Sequence, residues 1–147
     1  MIQALSALLT PVIAIVTMYI AIQQYRSSGR KYRLELFDRR YVVFAAVRDF
    51  ILAGIRQATV TTDEIFDLNA KTRDAFFLFD DSVEKYVDDL RSKGARLQYI
   101  YERLGDMSLG VGEERSQLAE EHAELLNWFS SQFSGSKQAF KKFMRVV

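Results

Sequence analysis

Apolar side chains occupy almost every position from Ala4 to Ile22, without the polar stripe that an exposed helix face leaves. Beyond Tyr25 the pattern changes. Apolar residues recur every three or four positions over long stretches, no strand-type alternation stands out, and no repeat or low-complexity segment intervenes. The spacing predicts a first helix that continues from the N-terminal segment to about Ala58. Its apolar line is Phe37, Tyr41, Phe44, Ile51 and Ile55, with Arg48 as an interruption and Gly29 as a weak point. Thr61-Thr62-Asp63-Glu64 reads as a turn and N-cap, followed by a shorter second helix to about Phe76. Asp81 and Glu84 read as a capping-box-like pair opening a third helix, with Asp81 in the cap position. Val83, Val87, Leu90, Gly94, Leu97, Tyr101 and Leu104 line its face, and Gly105 is its expected stop. A loop to Gly112 leads into a last helix from about Glu113 to Arg145. Its line is Ala119, His122, Leu126, Phe129, Phe133, Ser136, Phe140, Phe143 and Val147, with Ser134-Gly135-Ser136 as the expected bend. The fold class expected is all-α: an N-terminal transmembrane helix continuing into an antiparallel up-and-down four-helix cytoplasmic bundle.

The N-terminal segment sets this expectation. Residues 1–25 carry no charged side chain. Twenty helical residues reach about 30 Å, the thickness of a bilayer's hydrocarbon core. Pro11 lies inside the segment, where a membrane helix tolerates it as a kink. Tyr25 suits the headgroup level. Residues 1–10 contain no Lys or Arg, which argues against a cleavable signal peptide. Arg26, Arg30, Lys31, Arg33, Arg39 and Arg40 follow the span directly, so the positive-inside rule expects an inner-membrane protein with its N-terminus outside and residues 26–147 in the cytoplasm. The lack of cysteine agrees with a reducing compartment. Three segments result: an anchor at 1–25, a basic juxtamembrane segment at 26–40 and a helical bundle at 41–147.

Charge is polarised along the chain. The near-neutral total of +1 hides a net +4 over residues 26–40, −7 over 41–124, and a final stretch from residue 125 whose only charges are Lys137, Lys141, Lys142 and Arg145. An up-and-down bundle returns its last helix to the membrane end. Anionic-lipid contact is therefore expected from Arg26, Arg30, Lys31, Arg33, Lys137, Lys141, Lys142 and Arg145, each base near such a leaflet contributing about 1 kcal/mol.

Within the span, Gln3, Ala7, Thr10, Ala14, Thr17, Ala21 and Gln24 follow an unbroken alternation of four- and three-residue steps. Small and polar residues at that spacing form a seam where helices approach closely in lipid. The seam predicts association in the membrane, as a homo-oligomer or with another membrane protein.

Candidate chemistry changes the picture little. A single His and no Cys exclude a zinc site built of cysteines or several histidines. His122 lacks the Glu three residues earlier that a di-metal bundle site uses, since position 119 is Ala, and it reads as a partly buried structural residue. Gly105, Gly110 and Gly112 lack the Lys-Ser or Lys-Thr of a phosphate loop. Asp67–Lys71, Asp81–Lys85 and Asp89–Lys93 have the spacing of ordinary exposed helix pairs. No cofactor, metal or catalytic constellation is expected, and nucleic acid is not an expected partner because the bases cluster beside the anchor. Phe76, Phe77, Phe79 and Trp128 read either as core beneath the second connection or as partner anchors.

The uncharged N-terminal span, Leu34-Glu35-Leu36-Phe37-Asp38-Arg39-Arg40-Tyr41, Phe77-Leu78-Phe79-Asp80, Gly112-Glu113-Glu114-Arg115 and Trp128-Phe129 together resemble an uncharacterised group of small bacterial single-pass membrane proteins with a cytoplasmic helical domain. The resemblance covers most of the chain and implies location and architecture, not an activity. The expected function is a non-enzymatic, membrane-anchored interaction or scaffold module. The alternative is a membrane-perturbing effector whose assembled anchors form a pore or leak.

Overall fold

The computed structural model describes residues 2–106 and 110–144, with the side chains of residues 2–10 and of Arg30 outside that description. The described residues form five α-helices and no strand. They divide into two compact units, one ending at Phe37 and one beginning at Asp38, so the boundary falls inside the basic segment 26–40.

The first unit is the leading part of α1 (Ile2–Gln57), which is helical through both Pro11 and Gly29. Gly29 therefore does not break the helix. Its hydrogen-bond ladder continues on both sides, and one glycine costs an exposed helix only about 1 kcal/mol. From Val12 to Ile22 the large apolar side chains are exposed on all sides. Among the described residues, no helix is long and apolar enough to cross a membrane. The described side chains begin at Pro11, inside the Ala4–Ile22 segment.

The second unit is an antiparallel bundle. It contains the rest of α1, α2 (Thr62–Thr72), the single-turn α3 (Ala75–Leu78), α4 (Asp81–Gly105) and α5 (Glu113–Phe140). Side-chain contacts give the directions. Arg40 meets Phe143, Phe44 meets Phe140, Phe50 meets Phe129, and Ala58 meets His122, so α1 and α5 run oppositely. Tyr86 meets Phe140 while Arg103 meets Glu114, so α4 and α5 also run oppositely. α2 and α3 together form the descending second arm, and the up-and-down order expected from the short connections holds.

Local chemistry explains most boundaries. At the foot of α2, Thr61 Oγ1 accepts from the Glu64 amide at 3.2 Å and Glu64 Oε2 accepts from the Thr61 amide at 2.7 Å, a complete capping box. At α4 the cap is Asp80, one residue before the position read from sequence, with Oδ1 accepting from the Ser82 amide at 3.1 Å. Ser82 Oγ leans on the same carboxylate, and that second bond favours Asp80 over Asp81. The second arm is not one helix to Phe76. It breaks at Arg73-Asp74, and the break lets Ala75 bury while Phe76 and Phe77 project. Gly105 is the last residue of α4 rather than a left-handed stop, and no described glycine has positive φ. α5 passes through Ser134-Gly135-Ser136 without ending and stops at Phe140, short of Arg145.

The core corrects the expected apolar lines. In α1 the buried residues are Val43, Ala46, Val47, Phe50 and Ile51, while Tyr41 and Ile55 are exposed. Phe50 and Gly54 meet Phe129 of α5, and Phe50 also meets Gly94 of α4, so the line Val43-Val47-Phe50-Gly54 points inward while Tyr41 and Ile55 stay exposed. In α4, Val83, Val87, Leu90, Gly94 and Leu97 are buried as expected, but Ile100 replaces Tyr101 at the end. In α5, Phe129, Ser136 and Phe140 are fully buried while Ala119 is exposed, and Val147 lies outside the described residues.

Candidate functional site

Two surfaces stand out once the fold is traced. The first is the apolar stretch of α1. Of the predicted seam, Ala14, Thr17, Ala21 and Gln24 are exposed along it, whereas the side chains of Gln3, Ala7 and Thr10 lie outside those described. Thr17 Oγ1 donates to the Ile13 carbonyl at 2.8 Å, the back-bond by which a helix accommodates a hydroxyl in an apolar setting. Gln23 Nε2 donates to the Tyr19 hydroxyl at 3.1 Å one turn earlier.

The second surface is the bundle end where Asp38–Phe44, α3, the start of α4 and the end of α5 meet. Arg40, read from sequence as one more flanking base, turns inward. Its Nε donates to the Leu78 carbonyl at 3.0 Å and Nη1 to the Phe143 carbonyl at 3.3 Å. Its guanidinium also lies over the Phe79 and Phe143 rings, at 5.9 and 5.6 Å from their centroids. One cation thereby satisfies a carbonyl at the end of α3 and another just past the negative end of α5. Phe79 packs edge-on against Phe140 and Phe143 at 5.2 and 5.1 Å, so it belongs to the core rather than to a partner-facing surface. Trp128 is half-buried against Phe129, with Lys93 over its ring. Phe76 and Phe77 differ. They are 60% and 82% exposed, stacked edge-to-face, and Phe77 walls a groove of about 580 Å³ with Arg39, Val42, Val43, Lys71, Asp74 and Leu78.

The bases assigned to lipid contact have varied surroundings. Arg26, Lys31 and Arg33 are exposed, Arg30 has no described side chain, and Arg145 lies outside the described residues. Lys137 sits over the Phe133 ring at 5.3 Å. Lys141 is exposed beside Ser82 and Ala139. Lys142 is committed within the bundle, pairing with Asp80 and lying 4.8 Å from the Phe143 centroid. Hydrogen bonds from Lys142 and Ser82 pull the Asp80 carboxyl down to about 2. A lowered folded value means that this link is present above the ordinary carboxylate value and is lost only as pH falls through about 2. Carboxyl-carbon NMR of the titrating chain is expected to show Asp80 among the last acids to protonate, and Lys142→Gln to return it towards the ordinary range. An unchanged midpoint in that variant would remove Lys142 as the cause.

At the opposite end, Arg96 holds Glu121 through two bonds of 2.7 Å, and Arg115 donates to the Leu104 carbonyl at 3.0 Å. The pairing raises the Arg96 value and lowers that of Glu121. His122 Nε2 donates to the Ala58 carbonyl at 2.8 Å. Ala58 has φ 55°, a left-handed conformation that costs a β-carbon-bearing residue about 1–2 kcal/mol, and the imidazole clamps the reversal that turns α1 into α2. Asp67–Lys71 and Asp89–Lys93 close at 2.7 and 2.8 Å, whereas Asp81 and Lys85 form no ion pair. Among the described residues, no three His, Asp or Glu side chains are grouped to hold a metal ion.

Sequence reasoning missed Arg40 and Arg48 as interior residues. The signal for Arg48 was its interruption of an apolar line, since a base at such a position must find rings or acceptors. No protein-family model, curated protein or solved structure matches this chain.

Proposed function

We propose that the chain is a membrane-tethered helical interaction module that self-associates or docks on another membrane protein through its N-terminal helix, with the bundle on the cytoplasmic side. The observation that carries this reading is the run of exposed apolar side chains on α1. Val12, Ile13, Ile15, Val16, Met18, Tyr19, Ile20 and Ile22 are each 46–69% exposed, on a stretch of sequence with no charge before Arg26. A surface helix in water ordinarily carries a broad polar face, whereas large apolar side chains dominate this segment, which supports a cover of lipid or partner helices. The likeness to small bacterial single-pass proteins points the same way, as do the bases that follow the segment. The bundle's own topology adds support, because the end of α5 lies beside Arg40 of α1.

The test uses the full chain in native membranes. It is expected to resist alkaline carbonate extraction and to give cross-linked species that disappear in the combined Ala14→Leu and Ala21→Leu variant, since bulk at the seam prevents close approach. Release by carbonate would reject the anchor. Retention with unaltered cross-linking would keep the anchor and reject the seam.

A further inference from the structure

The second connection presents a surface that neither the core nor the anchor accounts for. The break at Arg73-Asp74 sets α3 so that Ala75 is buried and the next two side chains face out, and both of these are phenylalanine. Phe76 and Phe77 are 60% and 82% exposed and stack edge-to-face at 5.2 Å. Beside Phe77 runs the groove of about 580 Å³, whose apolar lining is Val42, Val43 and Leu78, with Val42 itself exposed. An outward-facing turn is ordinarily polar. Two rings beside an open apolar groove mark a contact surface, of the kind in which an aromatic anchor of one partner fills a pocket of the other. The charges around it are of both signs: Arg39, Lys71 and Asp74 all line the groove, and all are exposed. The Asp74 side chain makes no capping bond. Lys71 pairs with Asp67 at 2.7 Å on an exposed helix face, a link that contributes little and yields to a competing acid at small cost.

We propose that this groove pairs with the same groove on a second copy of the chain, the Phe77 ring of each copy entering the groove of the other. The pairing rests on the tethered, self-associating reading above for the meeting of two copies, and adds a face of the bundle to the seam of the N-terminal helix. A two-fold axis turns a patch onto itself, so a face of one sign would meet like charge. Here an acid and two bases surround one apolar centre, and Asp74 of each copy meets Lys71 of the other at both ends of the interface. A leaflet of anionic headgroups would instead set Asp74 against like charge, which disfavours lipid as the occupant. Tethering supplies the concentration. Two anchors in one membrane make the meeting of their bundles nearly intramolecular, so a small patch suffices. In excess detergent, with the copies diluted apart, the pair separates and adds nothing to the stability of the bundle.

The experiment reconstitutes the full chain in phosphatidylcholine vesicles, with photoreactive p-benzoylphenylalanine in place of Phe77. Irradiation is expected to give a covalent dimer. In a mixture of isotopically light and heavy copies, its linked peptides join position 77 of one copy to residues 39–43 or 71–78 of the other. Asp74→Lys alone and Lys71→Glu alone each set like charges across both ends of the two-fold, and each is expected to lower the dimer yield about fivefold or more. Mixing the two variants restores opposite charges at both ends. The yield is then expected to return close to that of the parent, which also shows that both variants fold. Equal yields in parent, single variants and mixture, or attachment within one copy alone, would overturn the proposal. Adducts to lipid in place of a dimer would overturn it too, and assign Phe77 to the bilayer. Carbonate retention and seam cross-linking are read on the same samples. Their persistence beside a missing position-77 dimer rejects this face alone, whereas loss of all three rejects the tethered reading along with it.

Discussion

Phe140→Ala is expected to cost the bundle about 3–5 kcal/mol, the range for removing a fully buried aromatic side chain. Phe140 is fully buried and its ring meets Phe44 of α1 at 5.4 Å, Phe79 of the second connection at 5.2 Å and Tyr86 of α4 at 6.4 Å. Its loss leaves a cavity where three elements converge, and also loosens the turn whose Phe143 carbonyl accepts from Arg40. The measurement is urea unfolding of the full chain in neutral detergent, followed by tryptophan fluorescence and reported at constant slope. Phe77→Ala is the control. That ring is 82% exposed, and its removal is expected to change stability by no more than about 0.5 kcal/mol. Similar losses from both variants would refute the packing described here.

The second large effect concerns Gly94, where α4 passes α1. A Cβ at this position would lie 2.5 Å from Phe50 Cζ and 2.9 Å from its Cε1, and Phe50 is itself only 3% exposed. Alanine gains about 1 kcal/mol of helix propensity over glycine. Forcing a buried ring aside costs about 1–3 kcal/mol. Because the ring has Phe129 packed against it at 6.1 Å, the steric cost prevails and Gly94→Ala is expected to destabilise by up to about 2 kcal/mol. Phe50→Leu in the same chain is expected to relieve part of that loss, giving a coupling measurable in a double-mutant cycle. Stabilisation by Gly94→Ala alone would show that α1 and α4 are not in tight contact there. Gly105, with nothing within 4 Å of the position a Cβ would take, provides a glycine without this constraint.

These two positions show how unevenly the fold could be read from the sequence. Gly94 and Phe140 both lay on expected apolar lines, but nothing in a one-dimensional pattern ranks members of a line. Phe129 and Phe133 are one turn apart on α5, yet the former is fully buried and the latter half-exposed beneath two cations. The turn and N-cap at residues 61–64 were legible because the capping bonds lie within four residues, although the reciprocal bond from Glu64 was not read. The cap at Asp80 was misplaced by one residue because Asp80 and Asp81 are chemically alike, and Lys142, sixty-two residues away, joins Ser82 in selecting between them. Arg48, which lies over the Phe44 and Phe133 rings, was visible only as an interruption of an apolar line. Its meaning depended on which helix lay opposite.

What the sequence determined by itself was local and compositional: helical periodicity, the turn near residue 60, the start of the last helix, the uncharged N-terminal stretch and the segregation of bases from acids. These follow from neighbouring residues, through backbone propensity, capping and the spacing of apolar groups. Only the tertiary structure decided which edge of α1 faces inward, that the second arm breaks at Arg73-Asp74, that Arg40 turns into the bundle end and that Arg48 and Lys137 share one ring. Each of these depends on packing between residues far apart in the chain, where small differences in burial and hydrogen bonding choose among faces that look equivalent along the sequence.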